Sequence, residues 1–218
     1  MVNESKPIGS VILCGGESQR MGFDKFKLPV GNVTLVERVI GQLRPLVGRM
    51  VLAVGQRELD FEIPGVELVH DQHKAKGPLE GIRVGLSQLA DSCDVAFVTA
   101  CDVPNFHPEV FELLLDELGD REAAIPVGPP PANRVYGMTA VYRTDVHKQL
   151  ERFILDDKLR VSGLANLLQA RNVPIEKIKR IDPQLECLSN INSPDDYFAL
   201  LKSLGLECSP ELYQQLTG

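Results

Sequence analysis

The residues best suited to chemistry lie in a glycine-rich loop that follows a short apolar run near the N-terminus. The loop contains Gly15, Gly16 and Gly22 together with Arg20 and Lys25. Glycines let backbone N–H groups approach phosphate oxygens closely, and successive N–H groups form a nest that binds anions. The two basic side chains add positive charge. The loop therefore predicts a polyphosphate site in which Arg20 and Lys25 contact the phosphates.

Two familiar phosphate-binding motifs are absent from this loop. It contains neither Gly-x-x-x-x-Gly-Lys-Ser/Thr nor Gly-x-Gly-x-x-Gly. The first absence excludes a Walker A loop, and the second excludes a dinucleotide-binding fingerprint. Taken alone, the loop is equally compatible with a glycine-rich turn that carries two exposed basic residues. Other parts of the chain must decide between these interpretations.

A carboxylate follows another apolar run at a position suited to a metal ion. Asp102 lies two residues after the end of the run 95–100. Mg²⁺ typically takes one or two carboxylates together with substrate phosphates and water. We therefore expect Asp102 to be a magnesium ligand, and the alternative is that it caps the turn before Pro104. Asp24 is expected to be an ion-pair partner or a turn residue instead of a second ligand.

Apolar runs that alternate with amphipathic patterns predict the elements that position these residues. Such runs are typical of parallel strands covered on both faces. They cover 8–14, 50–54, 66–70, 95–100, 123–127 and 138–142. Helix signals are a capping box at Thr34, first-turn prolines at Pro78 and Pro108, and an N-cap at Ser193. This alternation predicts an α/β fold whose ligand site lies at the carboxyl ends of the strands.

Four segments together resemble the MobA-like nucleotidyltransferases, which attach a nucleotide to molybdopterin. The first segment is Gly15-Gly-x-Ser-x-Arg-Met-Gly-x-Asp-Lys25, and the others are Gly77-Pro-Leu-Glu-Gly81, Cys101-Asp-Val-Pro104 and Asn190-Ile-Asn-Ser-Pro-Asp-Asp196. The resemblance runs from about 8 to 201. It implies a three-layer α/β/α fold with a mostly parallel, Rossmann-like sheet of the nucleotide-diphospho-sugar transferase type.

The resemblance also implies roles for individual residues. Catalysis would depend on Lys25, Arg20 and Asp102, with Mg²⁺ on Asp102. The implied nucleotide-binding set is Leu13, Cys14, Gly15, Gly16, Gly22, Lys25, Asp71, Gly77, Pro78, Leu79 and Asp102. Asp71 would contact the base or ribose, since a carboxylate can accept hydrogen bonds from the N1–H and exocyclic amine of guanine. Asn190 and Asn192 are implied on the acceptor side, or they simply begin the last long helix.

The first loop also bears on which nucleotide is used. Guanylyl-transferring relatives carry Leu-x-Gly-Gly, whereas cytidylyl-transferring relatives carry Ala-Ala-Gly. This chain has Leu13-Cys-Gly-Gly16. The resemblance thus implies transfer of GMP from GTP to molybdenum-loaded molybdopterin, with release of pyrophosphate.

Four departures from the family pattern leave the acceptor open. Tyr136-Gly137 stands where relatives have His-Pro, and no asparagine occurs around Gly55-Gln56. The Arg-Ser-Leu element is only loosely matched by Arg160-Val-Ser-Gly-Leu164, and the loop 126–133 is unusually rich in proline. The alternatives are CTP with molybdopterin, a nucleotide with a phosphorylated sugar or alditol, or a nucleotide-binding accessory protein without turnover.

Composition narrows the class of protein. The chain has 218 residues and a formal net charge of −7, which disfavours binding to a nucleic-acid polymer. No apolar stretch reaches the roughly 18 residues of a membrane-spanning helix. The 5 cysteines include no Cys-x-x-Cys pair, which favours reduced thiols in the cytoplasm. We expect one domain over 1–218, with a core of about 8–201 and a short helical tail at 202–218. The resemblance to the MobA-like family implies transient contacts with other cofactor-biosynthesis proteins.

Overall fold

Strands and helices alternate along the part of the chain that this computed structural model describes, residues 6–15, 24–59 and 62–217. The strands are β1 (Gly9–Leu13), β2 (Pro29–Val30), β3 (Val33–Thr34), β4 (Arg49–Ala53), β5 (Val66–Val69), β6 (Val95–Ala100), β7 (Ala123–Val127), β8 (Ala140–Arg143) and β9 (Ala170–Pro174). The helices are α1 (Leu35–Leu43), α2 (Pro78–Leu89), α3 (Pro108–Leu118), α4 (His147–Leu155), α5 (Leu164–Leu167), α6 (Ile175–Ile178), α7 (Pro194–Ser203) and α8 (Pro210–Thr217). Short 3₁₀ turns occupy Lys25–Lys27, Thr144–Val146, Val161–Gly163 and Glu186–Leu188.

The central sheet has seven strands in the order β5-β4-β1-β6-β8-β7-β9. β1 lies between β4 and β6 and runs parallel to both. β8 is antiparallel to β6 and β7, while β9 is parallel to β7. The prediction of a mostly parallel sheet is confirmed, with β8 as the strand that runs the other way. The carboxyl ends of β4, β1 and β6 therefore meet at one edge of the sheet.

Helices cover both faces of the sheet, because the strand side chains alternate between two apolar layers. Ile12 and its neighbours on the same face pack with α1, α3 and α6. Val11 and Leu13 point the other way and pack with α2, α4 and α5. The three-layer α/β/α prediction is confirmed. β1, β4 and β6 are continuous apolar runs because both faces of these strands are buried.

A third apolar cluster joins the C-terminal helices to the β2–β3 hairpin. Leu28, Val30 and Leu35 pack against α7 and α8. The Tyr197 hydroxyl donates a hydrogen bond of 2.6 Å to the carbonyl of Pro29. α7 begins at Ser193, the predicted N-cap, whose Oγ accepts from the Asp196 N–H in a capping box. α7 includes the first two residues of the predicted tail 202–218, and α8 supplies the rest of its helical structure.

The six predicted strands all form, with ends that differ from the prediction by at most two residues. The sequence analysis missed β9, the β2–β3 hairpin and the helices α4, α5 and α6. β9 lies at the edge of the sheet, and Val173 is its one buried residue. A strand with a single buried side chain has no apolar run or alternation from which it can be recognised. Within the described ranges, no helix combines the length and apolar character needed to cross a bilayer.

Close packing of α2 on β1 depends on a glycine in the middle of the helix. A Cβ atom placed on Gly85 would lie 2.8 Å from Cγ2 of Val11 and closer still to its Cγ1. Real Cβ atoms do not approach so closely, so the methyl group of an alanine would push α2 away from the sheet. This contact sets the distance between α2 and the strand that leads into the glycine-rich loop.

We predict that Gly85→Ala lowers the free energy of unfolding by about 1–3 kcal/mol because it overpacks this interface. Denaturant unfolding measures the change. Gly41→Ala in α1 is the matched control, since a Cβ there meets no atom within 4 Å. The control should be neutral or more stable by up to about 1 kcal/mol. Equal effects of the two substitutions would contradict the packing argument.

Candidate active site

A cavity of about 840 Å³ opens at the carboxyl ends of β4, β1 and β6. Of the residues singled out in the sequence, those that line it are Leu13, Cys14, Gly15, Lys25, Asp71, Gly77, Pro78, Asp102, Asn190 and Asn192. Arg20, Gly16 and Gly22 lie outside the described residues. Leu79 differs from the expectation of a direct contact, because it is fully buried in the layer between α2 and the sheet.

Two glycines allow the loops after β1 and β4 to run side by side beneath the cavity. A Cβ on Gly15 would lie 3.2 Å from the backbone nitrogen of Gly55. Gly55 itself has a φ of +69°, a left-handed conformation that side chains disfavour. The Asp71 N–H donates to the Gly55 carbonyl at 2.9 Å, which places the end of β5 next to these loops.

Lys25 and Asp102 face each other across the cavity floor. Their Nζ and Oδ2 atoms lie 3.6 Å apart. Lys25 Nζ also donates to Asn192 Oδ1 at 2.9 Å, and Asn190 Nδ2 donates to Asp102 Oδ1 at the same distance. The two asparagines thus hold the lysine and the aspartate, as well as preceding α7. This is the group of four that the sequence predicted only as separate segments.

The backbone of the segment 190–192 is attached to the same place. The Ile191 N–H donates to the Asp102 carbonyl at 2.8 Å. Ile191 is buried in the cluster formed with the β2–β3 hairpin and the C-terminal helices. The Asn192 N–H donates to Asp196 Oδ2 at 2.9 Å, so the start of α7 fixes this residue. Both interpretations of Asn192, as a site residue and as part of a helix start, are compatible with its position.

The 3₁₀ turn that carries Lys25 is held in place by core packing of one neighbour and by an ion pair of the other. Phe26 is buried in the layer that contains α1 and α3. Asp24 Oδ1 pairs with Arg57 Nη1 at 2.9 Å, as expected of an ion-pair partner. Arg57 follows β4 and lines the cavity, and Gln56 and Met138 line it too. The sequence analysis did not single out these three residues as site residues, because each lies in a loop with no local motif.

The Asp102 carboxyl lies in a partly desolvated place, and this changes its acidity. Burial raises the pKa of Asp102, while the charge of Lys25 and the hydrogen bond from Asn190 offset part of that rise. The net pKa is above the usual aspartate range. The neighbouring Cys101 thiol has a pKa raised by its hydrogen bond with Cys14 and by burial. Cys14 and Cys101 are both buried and pack as small apolar residues.

Asp71 lies on another wall of the cavity and has an unsatisfied oxygen. Its Oδ1 atom is buried and has no hydrogen-bond partner among the described residues. Burial raises the pKa of Asp71, and the nearby Glu80 carboxylate raises it further, while Arg83 and His70 act in the opposite direction. An unsatisfied buried acceptor is unfavourable unless a ligand supplies the donor. Asp71 is therefore suited to accept hydrogen bonds from a bound molecule.

The cavity fits a metal ion that arrives with phosphates better than a metal held by protein alone. Across the described residues, no group of three or more His, Cys, Asp and Glu side chains could hold a metal ion. Mg²⁺ commonly uses one or two carboxylates, completed by substrate phosphates and water. Asp102 is a hard oxygen donor at the cavity floor, and Lys25 beside it adds a second positive group for phosphates.

Comparison with known proteins decides the family. Residues 10–173 match the MobA-like NTP transferase domain. The chain belongs to this family. It is 31% identical over 201 residues to a probable molybdenum cofactor guanylyltransferase of Methanosarcina mazei, covering 86% of this chain and 87% of that protein. A protein of the same name from Carboxydothermus hydrogenoformans is 26% identical over 196 residues, covering 90% of this chain and 96% of that one.

A solved structure agrees with this assignment. The molybdopterin-guanine dinucleotide biosynthesis protein A of Archaeoglobus fulgidus has a TM-score of 0.73 and 26% identity to this MobA-like chain. The match covers 91% of this chain and 98% of that one. The similarity therefore extends over almost the whole length of both molecules. The predicted family and fold type are confirmed.

The contact between Asn190 and Asp102 leads to a testable pH dependence. Asn190→Ala removes a donor to the ionised carboxylate, so we predict a further rise in the pKa of Asp102. Protons compete with metal ions for a carboxylate. Mn²⁺ affinity, measured by electron paramagnetic resonance with GTP present, should then fall more at mildly acidic than at mildly alkaline pH.

Asn105→Ala provides the matched control for this measurement. Asn105 Nδ2 donates to Glu186 Oε2 at 3.1 Å, an equivalent amide–carboxylate contact between residues that do not line the cavity. The control should keep the wild-type pH profile. A loss of Mn²⁺ affinity in Asn190→Ala that is the same at every pH would contradict the predicted change in the acidity of Asp102.

Proposed function

We propose that this protein transfers GMP from GTP to molybdenum-loaded molybdopterin and releases pyrophosphate. The supporting observation is the Lys25–Asp102 pair, held by Asn190 and Asn192 at the floor of the cavity. The names of the relatives and of the similar structure agree with this acceptor and this nucleotide. The product would be the guanine dinucleotide form of the cofactor.

The reaction needs alignment and charge compensation more than covalent catalysis by the protein. A phosphate oxygen of the acceptor attacks the α-phosphorus of GTP, and the bond between the α-phosphorus and the bridging oxygen breaks. Pyrophosphate leaves with the electron pair of that bond. Holding the two anionic reactants in line and stabilising the leaving group supplies most of the rate increase in such reactions.

In this proposal, Lys25 and Asp102 act on the phosphates from the same place. The Lys25 ammonium is a compact charge that binds the departing pyrophosphate oxygens. Asp102 holds Mg²⁺, which supplies charge neutralisation on the triphosphate when bound. Asn192 keeps Lys25 Nζ directed toward the cavity, and Asn190 keeps Asp102 in place. Arg20 is proposed as a further phosphate contact from the loop.

The base is proposed to lie between Asp71 and the start of α2. Asp71 Oδ1 is a buried acceptor without a partner among the described residues, and guanine presents two adjacent donors, N1–H and the exocyclic amine. Gly77 and Pro78 line the same part of the cavity. Cytosine does not present this pair of donors. The first loop and Asp71 therefore both favour GTP over CTP.

The proposal predicts which nucleotide releases pyrophosphate. The protein is incubated with Mg²⁺, each nucleoside triphosphate in turn and molybdenum-loaded molybdopterin, and pyrophosphate is measured. Release with GTP alone is expected. Release with CTP and not GTP would show the base assignment to be wrong. Absence of release with any nucleotide or acceptor, including phosphorylated sugars, would favour an accessory protein that binds nucleotide without turnover.

Substitutions at the cavity floor test the proposed roles separately from folding. Asp102→Asn should lower kcat by at least about 100-fold, because the amide is a poor metal ligand. Its stability at neutral pH should be maintained, since a raised pKa means that folding disfavours the ionised carboxyl. Asp156→Asn, at a surface pair with Lys158, is the control and should keep wild-type activity. Wild-type turnover in Asp102→Asn would contradict the metal role.

We further propose that residues 1–218 work as one nucleotidyltransferase domain in the cytoplasm. The packing of α7 and α8 on the β2–β3 hairpin supports a single unit, because the segment that leads into α7 completes the cavity. The cysteines at 14, 93, 101, 187 and 208 are free thiols, as is typical of a reducing compartment. Handover of molybdopterin or product would involve transient contacts with other proteins of cofactor biosynthesis.

A further inference from the structure

A buried ion pair on α2 lies next to the turn that follows Asp71. Glu80 is fully buried and Arg83 is 3% exposed. Arg83 Nε donates to Glu80 Oε2 at 2.7 Å, and Arg83 Nη2 donates to Glu80 Oε1 at 2.8 Å. Glu80 lies in the segment Gly77–Gly81, where the family resemblance assigns nucleotide contacts only to Gly77, Pro78 and Leu79.

This pair forms hydrogen bonds with the residues immediately after Asp71. Glu80 Oε1 accepts hydrogen bonds from the Gln72 N–H at 2.9 Å and from the His73 N–H at 3.0 Å. Arg83 Nη2 also donates to Gln72 Oε1 at 2.8 Å. The backbone and side chain of Gln72 are thus both tied to α2. Residues 72 and 73 can move only if a buried charged group loses a partner.

Asp71 is held from its other side by the loop after β4. Its N–H donates to the Gly55 carbonyl at 2.9 Å, and its own carbonyl accepts from Gln56 Nε2 at 2.6 Å. The hydrogen bonds of Glu80 with the N–H groups of residues 72 and 73 hold the chain after Asp71. Together, these contacts fix the backbone on both sides of Asp71. Asp71 lines the cavity, and its buried Oδ1 atom is left unsatisfied.

The ion pair does more to fix geometry than to stabilise the fold. Burying two charges is expensive, and well-packed apolar residues of similar size often give equal or greater stability. The pair also compensates charge near Asp71. Glu80 acts to raise the pKa of Asp71 and Arg83 acts to lower it, so the two effects oppose each other. Hydrogen bonds from Arg83 and from the turn outweigh burial and lower the pKa of Glu80, which stays ionised at neutral pH.

We propose that Glu80 and Arg83 are positioning residues that aim the Asp71 carboxylate at the nucleotide base and thereby determine the preference for guanine. The inference rests on the proposed function, because it takes guanine to be the base in the cavity. Neither residue touches the nucleotide itself. Glu80 acts through the Gln72 and His73 N–H groups, and Arg83 acts through Glu80 and Gln72.

A comparison of GTP binding with ITP binding tests the positioning of Asp71. Inosine lacks the exocyclic amine, so it cannot donate the hydrogen bond that Asp71 would accept from guanine. Binding is measured by equilibrium dialysis on the full chain with Mg²⁺ and without acceptor. The wild-type protein should bind GTP at least about tenfold more tightly than ITP, because loss of the amine leaves a buried acceptor unpaired. Glu80→Ala should bring the ratio of the GTP and ITP affinities close to one, mainly by weakening the binding of GTP.

Conservative and control variants separate positioning from a general structural effect. Glu80→Gln keeps an acceptor oxygen for the turn and should retain part of the preference. Glu151→Gln is the matched control, because Glu151 Oε2 lies 3.8 Å from Arg83 Nη1 in the same network and its side chain is about half exposed. Glu151 Oε1 lies 3.9 Å from His73 Nε2, but the backbone N–H groups of residues 72 and 73 donate to Glu80 and not to Glu151. This control should keep the wild-type ratio. The double variant Glu80→Leu with Arg83→Met removes both charges together, so it should stay folded and still lose the preference.

Kinetics with molybdopterin provide a second measurement. For Glu80→Ala the KM for GTP should rise about tenfold while kcat stays within a few-fold of wild type, the pattern of lost uniform binding. If Glu80→Ala weakens the binding of GTP and of ITP equally, the positioning role is wrong. An unchanged GTP-to-ITP affinity ratio in both Glu80→Ala and the double variant would also overturn it, and neither result would affect the proposed function. A wild-type protein that binds GTP no better than ITP or CTP would overturn the proposed base assignment and this inference with it.

Discussion

The attachment of the segment 190–192 to the end of β6 is the contact on which the cavity depends. One backbone hydrogen bond to Asp102 and one side-chain hydrogen bond each to Asp102 and Lys25 join residues that are far apart in sequence. A desolvated carboxylate next to an ammonium group needs such partners, because burial without them would neutralise the charge. The C-terminal helices and the β2–β3 hairpin stabilise this contact, because they form the apolar cluster that buries Ile191, the residue between the two asparagines.

Two aspartates with raised pKa values lie on different walls of the cavity, and the structure compensates them differently. Asp102 has Lys25 and Asn190, which are suited to phosphates and a metal ion. Asp71 has Arg83 at longer range and keeps an unsatisfied oxygen, which is suited to a neutral hydrogen-bond donor such as a base. Because the two environments are separate, the cavity has one end suited to phosphates, at Asp102, and another suited to a base, at Asp71. Perturbed acidity at such places is typical of functional sites.

The sequence predicted the parts of the fold whose signals are local. Apolar runs located six strands, and the capping box at Thr34 and the N-cap at Ser193 located two helix starts within a residue. β9 was missed because its side chains are mostly exposed, and the antiparallel direction of β8 was missed because a run of apolar residues has no direction. Glu80 and Arg83 were missed as well, since a buried charged pair on a helix has the same local pattern as a pair exposed to solvent.

By itself, the amino-acid sequence determined the family, the order of most strands along the chain and the identity of Lys25, Asp71 and Asp102 as candidate site residues. Motif spacing and apolar periodicity carry that information because both depend on neighbours in the chain. Only the tertiary structure decided that Asn192 holds Lys25, that Asn190 holds Asp102, and that Glu80 grips the turn after Asp71. Those contacts depend on how strands and helices pack, and packing brings together residues for which no local pattern exists.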